Sequence, residues 1–348
     1  MLAGGAGTRL RPLTSSIPKP VIPFVDRPFI AFMLDWLRRH GVEDVVLGCG
    51  YMAAAVREVL GDGRELGVRL TYVEEREPLG TAGAIKHAAA HLGERFLVLN
   101  GDILSDLDLT AQMALHAETG AQATIALVPV TDPSAYGLVR RAEDGAVTAF
   151  LEKPAPAEID TDLVNAGAYV LEASVLDLVP DSGPCSIERD VFPRLIGHGL
   201  QGFRAEGYWL DIGTPERYLQ GTADILSGGV ATPVRAGADP GARVEGELVA
   251  PVLVAARAEV AAGAQVGPAT VIAAGARVGA GARVTGTVVL AGAHVGAGAE
   301  VRGAIVGPGA VIGERARVED GAILGAGARV APGAHVGPRE TVEEGAGA

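Results

Sequence analysis

Val278-Gly279-Ala280-Gly281-Ala282-Arg283-Val284 places two aliphatic side chains six residues apart, with small residues and one arginine between them. The interval persists on both sides. From Val254 it returns at Val260, Val266, Ile272, Val278 and Val284. It slips by one residue and resumes at Val289, Val295 and Val301, then slips again and runs through Val306, Ile312, Val318, Leu324, Val330, Val336 and Val342. The physical reading is one inward aliphatic side chain per short strand, with small residues at tight corners. Three hexapeptides then close a triangular coil, and coils stack as parallel strands. A disordered Gly/Ala-rich tail has no reason to keep such a period.

Outside this repeat the composition changes. Trp36 and Trp209, the last phenylalanine Phe203 and the last tyrosine Tyr218 all precede it. Ser227-Gly228-Gly229 and the stretch from Pro233 to Pro240 read as a linker. The expected division is therefore 1–225 for an α/β domain, 226–240 for the linker and 241–348 for the repeat. The repeat resembles the hexapeptide repeat of left-handed β-helix proteins. That resemblance implies either acyl transfer or assembly. His294 and His335 are candidate acyl-transfer bases but read better as exposed turn residues, and no insertion loop builds a coenzyme pocket. Aliphatic end and side surfaces on the stacked coils point to a homo-oligomer formed through the β-helix.

The bulk numbers exclude several classes. A net charge of −13 argues against a nucleic-acid partner, whose footprint is a basic patch. No apolar run reaches the roughly 18 residues of a membrane span, and the first dozen residues, glycine-rich and carrying Arg9 and Arg11, do not read as a signal peptide. Cys49 and Cys185 stand alone, without a CxxC or a disulfide framework. A reducing cytoplasm is the expected location.

The first half alternates apolar runs with amphipathic ones. Val45-Val46-Leu47, Phe96-Leu97-Val98-Leu99 and Thr124-Ile125-Ala126-Leu127-Val128 read as buried strands, and 29–40 and 111–118 as helices. This order predicts a Rossmann-like α/β fold on a mixed, mostly parallel sheet. At its start stands Leu2-Ala3-Gly4-Gly5-Ala6-Gly7-Thr8-Arg9-Leu10-Arg11-Pro12-Leu13-Thr14, with Lys19-Pro20 beyond. A glycine-rich turn lets backbone N–H groups approach a triphosphate, and Arg9 and Lys19 supply positive charge around it.

The whole string resembles the signature of sugar-1-phosphate nucleotidylyltransferases, and further segments resemble that family in the same order. Glu77-Pro78-Leu79-Gly80-Thr81-Ala82-Gly83 looks like the loop lining nucleobase and ribose. Asn100-Gly101-Asp102 closes a strand where the family places a magnesium-binding aspartate, and Trp209-Leu210-Asp211-Ile212-Gly213-Thr214-Pro215 supplies the second. Tyr136-Gly137 resembles a sugar-contacting turn, Phe150-Leu151-Glu152-Lys153-Pro154 the sugar-phosphate motif, and Asn165-Ala166-Gly167-Ala168-Tyr169 follows at the expected interval.

The resemblance implies in-line transfer of a nucleotidyl group from a nucleoside triphosphate to a sugar 1-phosphate. Mg²⁺ would lie on Asp102 and Asp211. Ala3, Gly4, Gly5, Gly7, Thr8, Arg9, Lys19, Gly80 and Thr81 would hold the nucleotide, and Gly137, Glu152, Lys153 and Asn165 the sugar phosphate. The Glu77–Gly83 loop, Asn165–Tyr169 and Ser186-Ile187-Glu188-Arg189-Asp190-Val191-Phe192-Pro193 together look most like mannose-1-phosphate guanylyltransferases. Glucose-1-phosphate thymidylyl- or uridylyltransferases and a non-catalytic regulatory homologue are the alternatives.

One observation is internal to the chain. Its only lysines are Lys19, Lys86 and Lys153; elsewhere arginine serves as the cation. Two of the three fall in the phosphate motifs, where a compact ammonium and a forked guanidinium are not interchangeable. Lys86 reads as a solvated charge on a helix, and Asp106 and Asp108 as turn or cap residues. Glu188 is open between a structural role and a place near the sugar. A phosphate-cradling turn should follow a strand, yet only Met1, Leu2 and Ala3 precede Gly4. Translation is therefore expected to begin upstream of Met1, which the in-frame genomic sequence before codon 1 checks.

Overall fold

The computed structural model describes residues 1–5, 7–50 and 52–347, so Ala6 of the glycine string and Ala348 lie outside the described residues. Two compact units form. One joins Met1–Gly5 to Met33–Trp209, and the other joins Ala6–Phe32 to Leu210–Ala348. The chain thus parts elsewhere than at the composition break. Residues 6–32 and the helix Pro215–Leu226 belong to the unit that holds the repeat. The cause is apolar packing that sequence order hides. Tyr218 on that helix is fully buried, its ring meets Phe24 edge-on at 5.0 Å, and its hydroxyl donates to the Pro23 carbonyl.

In the first unit Asp44–Cys49 runs parallel to Arg69–Glu74. Leu2 bridges in parallel to Gly48 on one side and Asn100 on the other. Leu163–Glu172 then pairs antiparallel with Arg95–Leu99 and with Ala123–Pro129, and Leu200–Arg204 runs parallel to the latter. The sheet is mixed: this long strand and the hairpin Gly137–Arg141 with Val147–Glu152 supply its antiparallel pairs. The register of the long strand shifts between Asn165 and Tyr169, a bulge that re-aims side chains. Helices Phe29–Arg39 and Leu109–Thr119 lie where the apolar periodicity puts them. Asp108 accepts from the Ala111 N–H at 2.9 Å and caps the second, while Asp106 accepts from the Tyr208 N–H at 2.7 Å. Both aspartates are structural, as their short polar side chains suit.

In the second unit the repeat forms a parallel β-solenoid of three ladders. The inward residues of the six-residue series, from Val254 to Val342, share one apolar interior with an alanine two positions before most of them. Both phase slips fall at one corner, between Arg283–Thr285 and Val288–Val289 and between Glu300–Arg302 and Ile305–Val306. There the corner is one residue shorter and the inward position is kept.

The three outer faces differ. On one ladder Leu253, Val271, Val288, Ile305 and Ile323 occupy the outward position and are buried by this same chain. The aliphatic side surface on which self-association was expected is therefore already covered. The other two ladders carry Arg277, His294 and Arg329, or Arg283, Arg317 and His335, outward and exposed. His294 and His335 are strand residues rather than turn residues, each followed by an inward valine; His335 lies 3.0 Å from Glu319.

Ile312 is fully buried in the solenoid interior. Ile312→Ala is expected to cost about 2–5 kcal/mol, read as a lower urea midpoint at unchanged slope. A change below about 0.5 kcal/mol would place the side chain outside a packed core.

Candidate active site

The phosphate turn is built from the second unit outward. Gly7 has φ +59 and caps the short 3-10 turn Thr8–Leu10. A Cβ on Gly7 would lie 2.9 Å from Lys19 Cβ, so glycine lets the buried lysine stem pass beneath the turn. Thr14 holds the turn from the other side, donating to the Gly7 carbonyl at 2.8 Å. Thr8 and Arg9 remain exposed.

Arg9 leads to the second motif of this unit. Asp211 ends the strand Trp209–Asp211 and accepts from the Gly213 N–H at 2.7 Å. Thr214 then caps the helix Pro215–Leu226, accepting from the Arg217 N–H, with Pro215 in the first turn where a missing N–H costs nothing. A Cβ on Gly213 would sit 2.7 Å from Arg9 Nη2 and 2.8 Å from Asp211 Oδ1. A cation and a carboxylate far apart in sequence therefore flank one glycine. Arg217 Nη1 lies 3.4 Å from Asp211 Oδ2. Sequence reasoning missed this arginine; the only signal was its place one turn after the cap.

In the first unit Ala3 is buried and Gly4 and Gly5 are exposed, with nothing within 4 Å of where a Gly5 side chain would begin. Gly101 donates its N–H to the Leu2 carbonyl at 2.9 Å, which holds half-buried Asp102 beside the start of the glycine string. Gly137 and Glu152 are cross-strand partners in the hairpin Gly137–Arg141 with Val147–Glu152. Lys153, just beyond, donates its N–H to the Tyr136 carbonyl and is exposed at φ +51. A lysine in the left-handed region carries strain of about 1–2 kcal/mol, and such strain gathers at functional positions.

The remaining predicted residues join through side chains. Gly80, at φ +71, has Cys185 O only 2.5 Å from where its Cβ would stand. The same carbonyl accepts from Ala82 and Gly83, so the Cys185 segment occupies the start of helix Gly80–His87. The Thr81 hydroxyl is engaged within the protein: it donates to Glu188 at 2.8 Å and accepts from the Ile187 N–H at 2.8 Å. Asn165 is oriented at both ends, its Oδ1 accepting from the Gly167 N–H and its Nδ2 donating to the Tyr169 hydroxyl, each at 2.9 Å. Burial pushes the Tyr169 phenol well above its ordinary range, and the nearby Glu188 charge adds to it. Lys86, expected as a solvated charge, instead pairs with Asp181 at 2.7 Å.

Comparison with known proteins places this arrangement. Residues 1–228 match the nucleotidyl transferase family model, and residues 248–343 match the GMPPB C-terminal domain model. The mannose-1-phosphate guanylyltransferase of Mycobacterium tuberculosis is 42% identical over 241 residues, which cover 68% of this chain and 67% of that protein. The mannose-1-phosphate guanyltransferase of Yarrowia lipolytica is 40% identical over 233 residues, covering 65% and 63%. The alignments thus span about two thirds of the length of these curated relatives. Among solved structures, HddC of Yersinia pseudotuberculosis complexed with GMP-PN is 30% identical, with a TM-score of 0.54 over 63% of this chain and 95% of its own. A putative glucose-1-phosphate thymidylyltransferase of Bacillus anthracis is 25% identical, with a TM-score of 0.57 over 63% and 91%. No helix among the described residues is long and apolar enough to cross a membrane. With motif order, fold and family model in agreement, the chain belongs to the nucleotidyl transferase family.

Proposed function

We propose that this chain transfers a guanylyl group from GTP to mannose 1-phosphate, forming GDP-mannose and releasing pyrophosphate. The observation that carries the reading is that Arg9 and Asp211 both flank Gly213, which supports pairing a cation for phosphate with a carboxylate for metal. Relatives named for mannose-1-phosphate guanylyl transfer at about 40% identity support this choice of base and sugar.

An oxygen of the sugar phosphate attacks the α-phosphorus in line, the bond to the β-phosphate oxygen breaks, and pyrophosphate carries the electron pair away. The attacking phosphate is already ionised, so no general base is required; positioning and charge neutralisation supply the rate. Arg9 and Lys19 neutralise the triphosphate and the leaving pyrophosphate. Lys153 holds the sugar phosphate, while Gly137, Glu152 and Asn165 bind the sugar. Gly80 and Thr81 line the nucleotide.

Asp102 and Asp211 would hold Mg²⁺, which supplies charge neutralisation between phosphates when bound. The donor set fits. Among the described residues no group of three His, Cys, Asp or Glu side chains gathers into a cage. Mg²⁺ needs none, since it takes one or two carboxylates together with substrate phosphates. Arg217 Nη1 already faces Asp211 Oδ2 at 3.4 Å, a contact that a bound cation would have to share or displace.

A matrix of four nucleoside triphosphates against mannose and glucose 1-phosphates, read as pyrophosphate release, tests the assignment. GTP with mannose 1-phosphate is expected to give the highest kcat/KM; preference for another pair refutes the substrate choice, and no turnover with any pair refutes catalysis. Asp102→Asn and Asp211→Asn are each expected to keep the melting temperature and cut turnover at least ~100-fold, by removing a charged ligand. Near-normal magnesium-dependent turnover in either variant overturns the metal assignment. Lys153→Gly should raise stability by about 1 kcal/mol, by relieving the left-handed backbone, while raising the KM for sugar phosphate. If the KM is unchanged, Lys153 does not bind that phosphate.

A further inference from the structure

The carboxylate of Glu188 collects hydroxyl protons from three elements. Thr81, in the first turn of helix Gly80–His87, donates to Oε2 at 2.8 Å. Ser186, just before the π-turn Ile187–Val191, donates to the same oxygen at 2.7 Å. Tyr169, on the strand Leu163–Glu172, donates to Oε1 at 3.4 Å. Each of these hydroxyl oxygens also accepts an N–H, which leaves its proton for the carboxylate. Thr81 accepts from the Ile187 N–H, Ser186 from the Arg189 N–H at 3.3 Å, and Tyr169 from Asn165 Nδ2. Each hydroxyl has one proton to give, and all three point at Glu188. The three bonds end on the two oxygens of one carboxylate.

The π-turn is also held by bonds outside this cluster. The turn is stitched down by the Ser186 N–H to Asp190 at 2.7 Å, and the preceding residue by the Cys185 N–H to the Leu79 carbonyl and by the Ala82 N–H to the Cys185 carbonyl. What Glu188 adds is a link between two regions with different tasks. Thr81 belongs to the loop assigned to the nucleotide. Asn165 belongs to the residues assigned to the sugar, and its amide is aimed by the Tyr169 hydroxyl. π-Turns recur where backbone geometry serves a site.

We propose that Glu188 is a positioning residue that couples the nucleotide loop to the sugar-binding residues, so that occupation of one favours binding at the other. The proposal rests on the nucleotidyl-transfer reading above. Its physical core is the polarity of the network. A neutral amide at this position brings two donor hydrogens among hydroxyls that already donate. At least one hydroxyl must turn away, and the chain Thr81–Glu188–Tyr169–Asn165 is broken without any loss of apolar packing.

The test is calorimetric binding of mannose 1-phosphate with and without a non-hydrolysable GTP analogue, together with kcat, both KM values and melting temperatures. It is run on the wild-type chain, Glu188→Gln, Thr81→Val, Thr81→Ser and the Thr81→Val/Glu188→Gln double variant. In the wild type the nucleotide analogue is expected to tighten sugar-phosphate binding by about 5–150-fold, the usual span of site coupling. In Glu188→Gln and Thr81→Val the enhancement should fall to near unity with melting temperatures within about 4 °C of wild type. The double variant should lose nothing more, because both substitutions break one chain. Thr81→Ser keeps the hydroxyl and should keep the enhancement. Wild-type enhancement in Glu188→Gln overturns the proposal, as does loss that appears only together with a large drop in melting temperature. Absence of enhancement in a wild-type protein that turns over also overturns it. A wild-type protein that neither binds nor turns over the two substrates instead refutes the nucleotidyl-transfer reading.

Discussion

Much of the site hangs from the backbone of Leu2. Its N–H donates to the Leu99 carbonyl and its carbonyl accepts from Gly101, both at 2.9 Å, while the next N–H, of Ala3, reaches Gly48 at 2.8 Å. Three residues thereby fill the place between two strands and set the direction in which the glycine string leaves the sheet. The approach is close enough that a Cβ on Gly101 would lie 2.4 Å from the Leu2 oxygen. Glycine at 101 is therefore a condition for Leu2 to approach the residue that precedes Asp102 this closely. This is the general arrangement of ligand sites in α/β sheets, at the carboxyl ends of strands where the loops diverge.

A shared feature of the motifs is that their small residues make room for other functional side chains as much as for a ligand. Gly7 lies over the stem of Lys19, and Gly213 is flanked by Arg9 and Asp211. Gly80 admits the Cys185 carbonyl, which in turn places Ser186 and Glu188 against Thr81. Rigidity obtained this way suits a reaction that needs charges held at fixed positions and little proton transfer. Lys153 shows the cost side of the same principle, since a left-handed lysine persists only when its surroundings over-determine it.

The solenoid shows how one repeat makes surfaces of different kinds. Inward positions are uniform because the interior of each coil has one width, which valine with alanine fills. Outward positions are free to differ. Two ladders carry arginine, glutamate and histidine, and the third carries aliphatic residues that the chain itself buries.

The amino-acid order alone determined what depends on short-range chemistry. The six-residue period fixes coil size wherever it occurs, because an inward valine one place out of phase would face water. The glycine strings and the motifs around Lys19 and Lys153 likewise act on neighbours a few residues away. What only the tertiary structure decided rests on contacts between distant segments. Residues 6–32 join the solenoid's unit through Pro23 and Tyr218, which are 195 positions apart. Glu188 meets Thr81 across 107 positions. No period or local propensity encodes either meeting, since each depends on which buried surfaces find one another after the elements have formed. The role of Glu188 stayed open in the sequence for that reason, and the three hydroxyls around its carboxylate appear only in the folded chain.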